Sequence, residues 1–353
     1  MSWQKEIDEL NKRKNLAQEL GGKEKVERQH KANRNTIRER INLFFDKDSF
    51  QEFGMLSGQS SYKETGELEN FLPANSIIGH GLVNQQSIAF YGDDFTVRGG
   101  AADASIWEKM VAAEKLANEY EIPLVRFIEG TGGGGSVKSL EKQGSTYVPF
   151  NPGWDKVIEN LSKIPVISLA LGPVAGLGAA RLVSSHYSIM VRKVSQIFVA
   201  GPPLVEKIGE KVTKEELGGS EIHGSNGVID DVAENEEEAM EMAKSFLSFM
   251  PSSIHHLPKK KISKDDPLRK DDFLLSIIPK SKRESYDILP IIKSVVDKKI
   301  RKSSIVFLHH TDGLGRFFQE LTSAVLSLNK QFYNFHISSF SEGLQFTHYK
   351  APG

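Results

Sequence analysis

The chain contains no cysteine. Disulfide bonds, thiolate zinc sites and cysteine nucleophiles are therefore excluded. It also has no apolar run of the ~20 residues that a membrane-spanning helix needs, so we expect no membrane span. Neither sign of charge dominates, because 45 Lys and Arg residues stand against 46 Asp and Glu residues, for a net charge of −1. Without a basic excess, we expect no nucleic-acid partner.

The amino-terminal stretch has few features of a targeting signal. It contains four acidic residues, which are Glu6, Asp8, Glu9 and Glu19. Transit peptides are poor in acidic residues and secretory signals have an apolar centre, so neither type fits. We therefore expect a cytoplasmic protein, and a composition of 39% hydrophobic and 26% charged residues is typical of an ordinary globular one.

Strand-like and helix-like segments alternate between about residues 30 and 250. Continuous apolar runs at 122–128 and 165–171 are typical of buried strands, and a further strand is predicted over 86–97. Residues 235–250 repeat apolar side chains with helical spacing. A helix over 103–120 has the following apolar face: Ile106, Met110, Ala113, Ala117 and Tyr120. This alternation predicts an α/β domain.

Composition changes at about residue 250. Residues 251–284 are charged, contain four prolines and lack a sustained period, which predicts a linker. We therefore divide the chain into an amino-terminal domain over 1–250, with a helical segment in its first 45 residues, the linker, and a second unit over 285–353.

The stretch "FIEGTGGGGSVKS", residues 127–139, places four consecutive glycines after a predicted strand. A phosphate-binding P-loop needs a lysine directly after its last glycine, but Ser136 follows Gly135 and Lys138 comes too late. A flexible linker rarely follows a buried strand. The pattern favours a turn at the carboxyl end of a strand, where glycines expose backbone N–H groups.

A second glycine-rich turn, "LALGPVAGLGAARL", follows the next buried strand. Gly176 and Gly178 begin a dinucleotide-binding fingerprint, but Arg181 is too large for its third small position. Two such turns predict two sets of backbone donors that face one cleft and stabilise an oxyanion or enolate. On residue types alone, close packing of small residues explains the glycines equally well.

Several motifs then occur in one order: "NRNTIRERINLFFDKDSFQEFG", "DDFTVRGGAAD", the two glycine turns, and "KEELGGSEIHGSNGV". In this order they resemble the carboxyltransferase (β) subunits of biotin-dependent acyl-CoA carboxylases, the propionyl-CoA and methylcrotonoyl-CoA carboxylase group. The resemblance covers about residues 20–300. It implies a crotonase-like (ClpP/crotonase) carboxyltransferase amino-terminal domain that holds acyl-CoA, followed by a truncated second unit.

The same resemblance implies the reaction and the partners. A carboxyl group passes from carboxybiotin to the α carbon of an acyl-CoA of the propionyl, acetyl or methylcrotonoyl type, through a thioester enolate. The carboxybiotin is carried by a biotin carboxylase or biotin carrier subunit, or by a further domain, and the carboxyltransferase subunits form a homo-oligomer. No metal is expected in this chain.

The resemblance also assigns site residues. The catalytic backbone donors are Gly132, Gly133, Gly176, Leu177 and Gly178. The CoA contacts are Arg98, Gly99, Gly100, Ala101 and Ala102. A surface salt bridge is the alternative role for Arg98, and a structural hydrogen bond is the role we favour for His223.

The chain departs from the family pattern in three places. The first turn lacks the usual arginine, Leu177 stands where a glycine is usual, and residues 301–353 do not resemble the continuation of the second domain. We therefore expect an incomplete subunit. Alternative functions are the α subunit of a biotin-dependent acyl-CoA decarboxylase and a non-catalytic acyl-CoA-binding subunit. A crotonase-type hydratase or thioesterase would need an acid or base beside the turns, where Glu129 is expected to be structural.

Overall fold

The computed structural model describes residues 3–101, 107–130, 153–206, 209–258, 266, 268–281 and 283–296. Three helices begin the chain, namely α1 (Gln4–Gln18), α2 (Lys23–Lys31) and α3 (Ile37–Phe44). The predicted helical character of this segment is confirmed. Within the described ranges, no helix combines the length and apolar character needed to cross a membrane.

Ten strands follow in the described part of the chain: β1 (Gln51–Phe53), β2 (Gly58–Tyr62), β3 (Leu68–Pro73), β4 (Ser76–Val83), β5 (Gln86–Asp93), β6 (Leu124–Gly130), β7 (Val166–Ala175), β8 (Tyr187–Val191), β9 (Gln196–Phe198) and β10 (Asp231–Ala233). The main sheet has the order β1-β4-β5-β6-β7-β8-β10, and β9 also pairs with β7. Pairing is antiparallel from β1 to β5 and parallel from β5 to β10. Strands β2 and β3 form a separate antiparallel pair.

The remaining described helices are α4 (Trp107–Tyr120), α5 (Trp154–Lys163), α6 (Leu177–Val183), α7 (Pro202–Glu206), α8 (Lys214–Gly218), α9 (Ser220–Asn226), α10 (Glu236–Leu247) and α11 (Leu289–Val295). Short 3-10 helices occur at Arg98–Gly100 and Asp272–Leu275. The alternation of parallel strands and helices confirms the predicted α/β class.

The main core lies between one face of the sheet and the helices α3 and α10. Three buried phenylalanines, Phe44, Phe90 and Phe127, meet edge to face with ring centroids 5.0–5.2 Å apart. Tyr187 of β8 stacks on Phe246 of α10 at 4.8 Å. All seven residues of β6 are buried, which explains why its sequence is a nearly continuous apolar run.

One predicted boundary is wrong, and one residue of a predicted apolar face is exposed. The strand predicted over 86–97 ends at Asp93, because the Asp94 side chain accepts hydrogen bonds from the backbone N–H and hydroxyl of Thr96 and closes a turn. Tyr120, predicted on the apolar face of α4, is 68% exposed because it is the last residue of the helix. Ala113 and Ala117 are buried as predicted, and Ile106 lies outside the described residues.

The start of the predicted linker touches the domain. The Gln86 amide donates to the carbonyl of Pro251 at 2.8 Å, and His255 pairs with Glu121. Further along are the 3-10 helix at Asp272–Leu275 and helix α11. The division at 251 and 285 stays a prediction.

A buried ion network joins the amino-terminal helices to the sheet. Glu129, near the end of β6, accepts hydrogen bonds from Arg40 at 2.6 Å, from Arg34 at 2.5 Å and from Gln29 at 2.9 Å. Arg40 also binds Glu236 of α10 through two nitrogens, at 2.6 and 3.0 Å. Two arginines face two glutamates, so the buried charges cancel. The capping box of Thr36 and Glu39 fixes the start of α3, the helix that presents Arg40.

The electrostatics of Arg40 depend on both carboxylates. Burial alone would lower the pKa of Arg40, but Glu129 and Glu236 outweigh it and raise the pKa above its ordinary value. Removal of the guanidinium would leave the two carboxylates without this shared partner in the protein interior. Such a loss is costly because a buried charge has no water to replace its partner.

We predict that Arg40→Ala lowers the free energy of unfolding by about 3–5 kcal/mol, measured by urea denaturation. Arg28→Ala is the matched control, because Arg28 is 73% exposed and pairs with Glu24 one turn away. That exposed pair contributes about 0.5 kcal/mol or less. Equal losses for the two variants would contradict the assignment of the network.

Candidate active site

The carboxyl ends of β5, β6 and β7 lie at one edge of the sheet. Strand β5 pairs with β6 and β6 pairs with β7, all in parallel. The prediction that the two glycine turns follow neighbouring strands is confirmed. Ligands of open α/β sheets bind at this edge.

The segment after β5 forms a tight turn of left-handed residues. Arg98, Gly99 and Gly100 have φ values of 55°, 62° and 68°. A Cβ atom on Gly100 would lie 2.9 Å from the Glu129 carbonyl oxygen, and one on Gly130 would lie 2.9 Å from the Gly100 Cα. Both Gly100 and Gly130 must therefore be glycine for the two backbones to approach this closely. The contact places the predicted CoA-binding segment against Gly130, where the first glycine-rich stretch begins.

Not every predicted residue of these turns is described. The carbonyl of Ala101 accepts a hydrogen bond from the Asn75 amide at 2.9 Å, which holds the end of the segment against the sheet. Ala102, Gly132 and Gly133 lie outside the described residues. Their assigned roles stay predictions.

The second glycine turn joins β7 to α6. Gly176 has φ 58° and ψ −125°, a conformation that residues with a Cβ atom strongly disfavour. Its N–H group donates to the Phe198 carbonyl of β9 at 3.2 Å, so it is engaged within the fold. Leu177 and Gly178 are the first residues of α6, and their N–H groups have no carbonyl of a preceding turn to bind.

A narrow cleft opens beside this second turn. Its volume is about 10 Å³, which is room for about one water molecule. The walls are contributed by β5, α4, β6, α5 and α6. The lining residues are Tyr91, Asp93, Met110, Ile128, Trp154, Leu177, Gly178 and Arg181.

Asp93 is the carboxylate of the cleft, and its orientation is fixed on both sides. One oxygen accepts the Tyr91 hydroxyl at 2.5 Å and the other accepts the backbone N–H of Glu129 at 3.0 Å. Burial raises the pKa of Asp93 to about 6, although these hydrogen bonds and the charge of Arg181 act in the opposite direction. Burial and the Asp93 charge also raise the pKa of Tyr91 well above its ordinary value.

The helix that follows the second turn is held by a buried arginine. Arg126 of β6 donates to the carbonyl of Arg181 in α6 and to that of Ser184 directly after it, and binds Glu114 of α4 through two nitrogens. Burial would raise the pKa of Glu114, but Arg126 and Arg181 outweigh it and lower the pKa. The ion pair therefore locks α4, β6 and α6 around the cleft.

Sequence reasoning missed the polar side of this cleft. Tyr91 and Asp93 share one face of β5 because side chains alternate along a strand, and their positions at its carboxyl end were the available signal. Arg181 was considered only as a residue that excludes a dinucleotide site.

Two residues have the structural roles expected of them. Glu129 is buried in the ion network, and His223 binds the carbonyl of Ile197 at 2.9 Å through its ring. Across the described residues, no group of three or more His, Asp or Glu side chains is placed to hold a metal ion.

Comparison with solved structures identifies the class of protein. The chain superposes on a transcarboxylase 12S crystal structure, described as a hexamer assembly with methylmalonyl-coenzyme A and methylmalonic acid bound, with a TM-score of 0.67 and 26% identity. The match covers 85% of this chain and 58% of that chain. The fold and its strand-end turns therefore define a crotonase-like carboxyltransferase domain.

The model of the family "Carboxyl transferase domain" matches residues 28–324. The chain belongs to this carboxyl transferase family. It is 31% identical to the propionyl-CoA carboxylase carboxyltransferase subunit of Haloferax mediterranei and 30% identical to the methylmalonyl-CoA decarboxylase subunit alpha of Veillonella parvula. These matches cover 84% and 83% of this chain. The chain spans 57% of the length of each of these relatives.

We predict that Gly100→Ala destabilises the fold more than Gly66→Ala does. Both glycines have a positive φ, but a Cβ on Gly66 would meet no atom within 4 Å. The control should lose about 1–2 kcal/mol from the backbone conformation alone, whereas Gly100→Ala should lose about 1–3 kcal/mol more because two backbones must separate. Urea denaturation measures both, and equal losses would contradict the close contact of Gly100 with Gly130.

Proposed function

We propose that this chain supplies the acyl-CoA half of a carboxyltransferase site, in which a carboxyl group moves between carboxybiotin and the α carbon of an acyl-CoA. The observation that supports the proposal is the second glycine turn, where Leu177 and Gly178 begin α6 and line the cleft beside the strand ends. Backbone donors held by a rigid fold stabilise developing negative charge on a thioester oxygen.

Carboxyl transfer of this kind proceeds through a thioester enolate, so the protein must stabilise the enolate and needs no side-chain nucleophile. Removal of the α-proton moves charge onto the thioester oxygen, and fixed N–H donors lower the energy of that charge without reorganising. We assign this role to Leu177 and Gly178, together with Gly132 and Gly133 of the first turn. Gly176 shapes the turn through its φ, because its own N–H group binds Phe198. Carboxybiotin on a partner supplies the carboxyl group.

The segment Arg98–Ala101 is our proposed contact for CoA, with Ala102 as its continuation. It lies against Gly130 at the base of the first turn, so a ligand bound there reaches the strand-end edge. Arg98 is half-buried, and its positive charge suits a phosphate of CoA. Two adjacent glycines leave the backbone open to close approach by a ligand.

The relatives support a short acyl group and a biotin-carrying partner. One is named for propionyl-CoA carboxylation and another for methylmalonyl-CoA decarboxylation, which is the same transfer in the opposite direction. We therefore propose a propionyl- or methylmalonyl-type thioester as substrate, a biotin carboxylase or biotin carrier subunit as partner, and an oligomeric assembly. A decarboxylase alpha subunit is the second candidate, because the Veillonella parvula relative is almost as similar as the carboxylase subunit.

We predict that Leu177→Pro lowers the turnover number for carboxyl transfer by about 100-fold or more, because it deletes one N–H donor. Proline is accepted at the first position of a helix, so the fold should tolerate the change. Leu177→Ala is the matched control, since it shortens the same side chain and keeps the N–H group. Transfer is measured with the biotinylated partner and labelled methylmalonyl-CoA.

Binding of propionyl-CoA is measured separately by calorimetry, and its affinity should be the same in both variants. Equal turnover of Leu177→Pro and Leu177→Ala would contradict the role of this donor. Absence of any acyl-CoA binding by the unmodified protein would contradict the proposed function itself.

A further inference from the structure

The cleft beside the second turn contains an acid–base group that carboxyl transfer, as proposed above, does not use. Asp93 and the donor turn at Leu177 and Gly178 line the same cleft. A carboxylate beside oxyanion donors is the arrangement that a hydrolytic reaction of a thioester needs.

The cleft suits a single water molecule. Its volume of about 10 Å³ matches one water, and a buried water needs two to four polar partners. Arg181 is only 6% exposed, and among the described residues its Nε atom has no hydrogen-bond partner, although a Glu114 oxygen lies 3.9 Å away. Arg181, Asp93 and Tyr91 all line the cleft, so the guanidinium can donate to a water and the Asp93 and Tyr91 oxygens can accept from it.

Asp93 has acceptor capacity left for this water. An ionised carboxylate has about four lone-pair sites. Tyr91 and the Glu129 N–H occupy one on each oxygen, and they also hold the side chain in one orientation. Among the described residues, the hydrogen bonds printed for Asp93 leave acceptor sites for a further donor. A water that donates to Asp93 there is placed for deprotonation.

We propose that the protein is also an acyl-CoA thioesterase, in which Asp93 acts as general base on a water bound in this cleft. The cleft holds the water alone, and the thioester carbonyl binds at its rim, where the N–H groups of Leu177 and Gly178 hold the carbonyl oxygen. The water oxygen attacks the carbonyl carbon and gives its proton to Asp93. The carbon–sulfur bond then breaks, and the proton passes from Asp93 to the CoA sulfur. The products are a free carboxylic acid and CoA.

This activity goes beyond carboxyl transfer, because it needs neither biotin nor a partner subunit. It rests on the proposed function in one respect, namely that acyl-CoA binds at the strand-end edge. Water is the one co-reactant, so the reaction is balanced without any oxidant or further group.

The neighbouring residue Asp94 provides a matched control. It is also a buried carboxylate, with a pKa that burial raises to about 6. However, it does not line the cleft, and one of its oxygens accepts both the N–H and the hydroxyl of Thr96. A substitution at Asp94 therefore removes a carboxylate from this end of β5 but leaves the proposed base, Asp93, in place.

The pH dependence follows from the ionised form of Asp93. The groups that face it are Tyr91 of β5, Glu129 of β6 and Arg181 of α6, and Glu114 of α4 lies behind Arg181. Because the pKa of Asp93 is about 6, hydrolysis should rise with pH, reach half of its maximum near that value and stay constant above it.

The test measures release of CoA from propionyl-CoA with a thiol-reactive dye. The chain has no cysteine, so every thiol detected comes from CoA. We expect Asp93→Asn to lower the hydrolysis rate by about 100-fold and to remove its dependence on pH. Asp94→Asn should keep both the rate and the pH profile of the unmodified protein.

A second variant guards against a folding defect in Asp93→Asn. Tyr91→Phe keeps the carboxylate but removes a hydrogen bond that favours its charged form, so the midpoint of the pH profile should move upward. An unmoved midpoint would contradict Asp93 as the titrating base.

Calorimetry with propionyl-CoA separates the two proposals. Binding without hydrolysis, or hydrolysis unchanged in Asp93→Asn, would overturn the thioesterase and leave the carboxyltransferase site standing. Absence of binding would overturn both.

Discussion

The contact between Arg40 and Glu129 is the interaction on which the site depends. Glu129 is buried one residue before Gly130, so its position sets where the first glycine turn begins. Through Arg40 the same contact reaches Glu236 at the start of α10, and through its own backbone N–H Glu129 orients Asp93. The amino-terminal helices therefore fix the positions of the carboxyl ends of β5 and β6.

The sequence predicted the elements whose cause is local. Continuous apolar runs identified β6 and β7, and helical spacing identified α10, because these patterns reflect burial along a single element. It missed the end of β5, where the side chain of Asp94 competes with strand pairing. It also missed the cleft, because Asp93 and Arg181 are far apart in the chain and meet only through the order of the strands.

The glycine turns illustrate the same limit at the site. Their spacing indicated backbone donors, but the role of each N–H group depends on tertiary contacts. Because β7 pairs with β9, the Gly176 N–H group binds the Phe198 carbonyl and is not available to a ligand. Leu177 and Gly178 are therefore the residues of this turn that we propose as donors. In the two functions that we propose, one pair of donors beside one carboxylate serves either fate of a thioester, since enolate formation and hydrolysis both place negative charge on the same oxygen.

The proposed site requires the thioester oxygen to bind at the second turn. A crystal structure of the protein with a non-hydrolysable propionyl-CoA analogue tests this requirement. We expect the carbonyl oxygen of the analogue within hydrogen-bond distance, about 3 Å, of the N–H groups of Leu177 or Gly178. An analogue bound with its carbonyl oxygen away from this turn, or at another edge of the sheet, would contradict it.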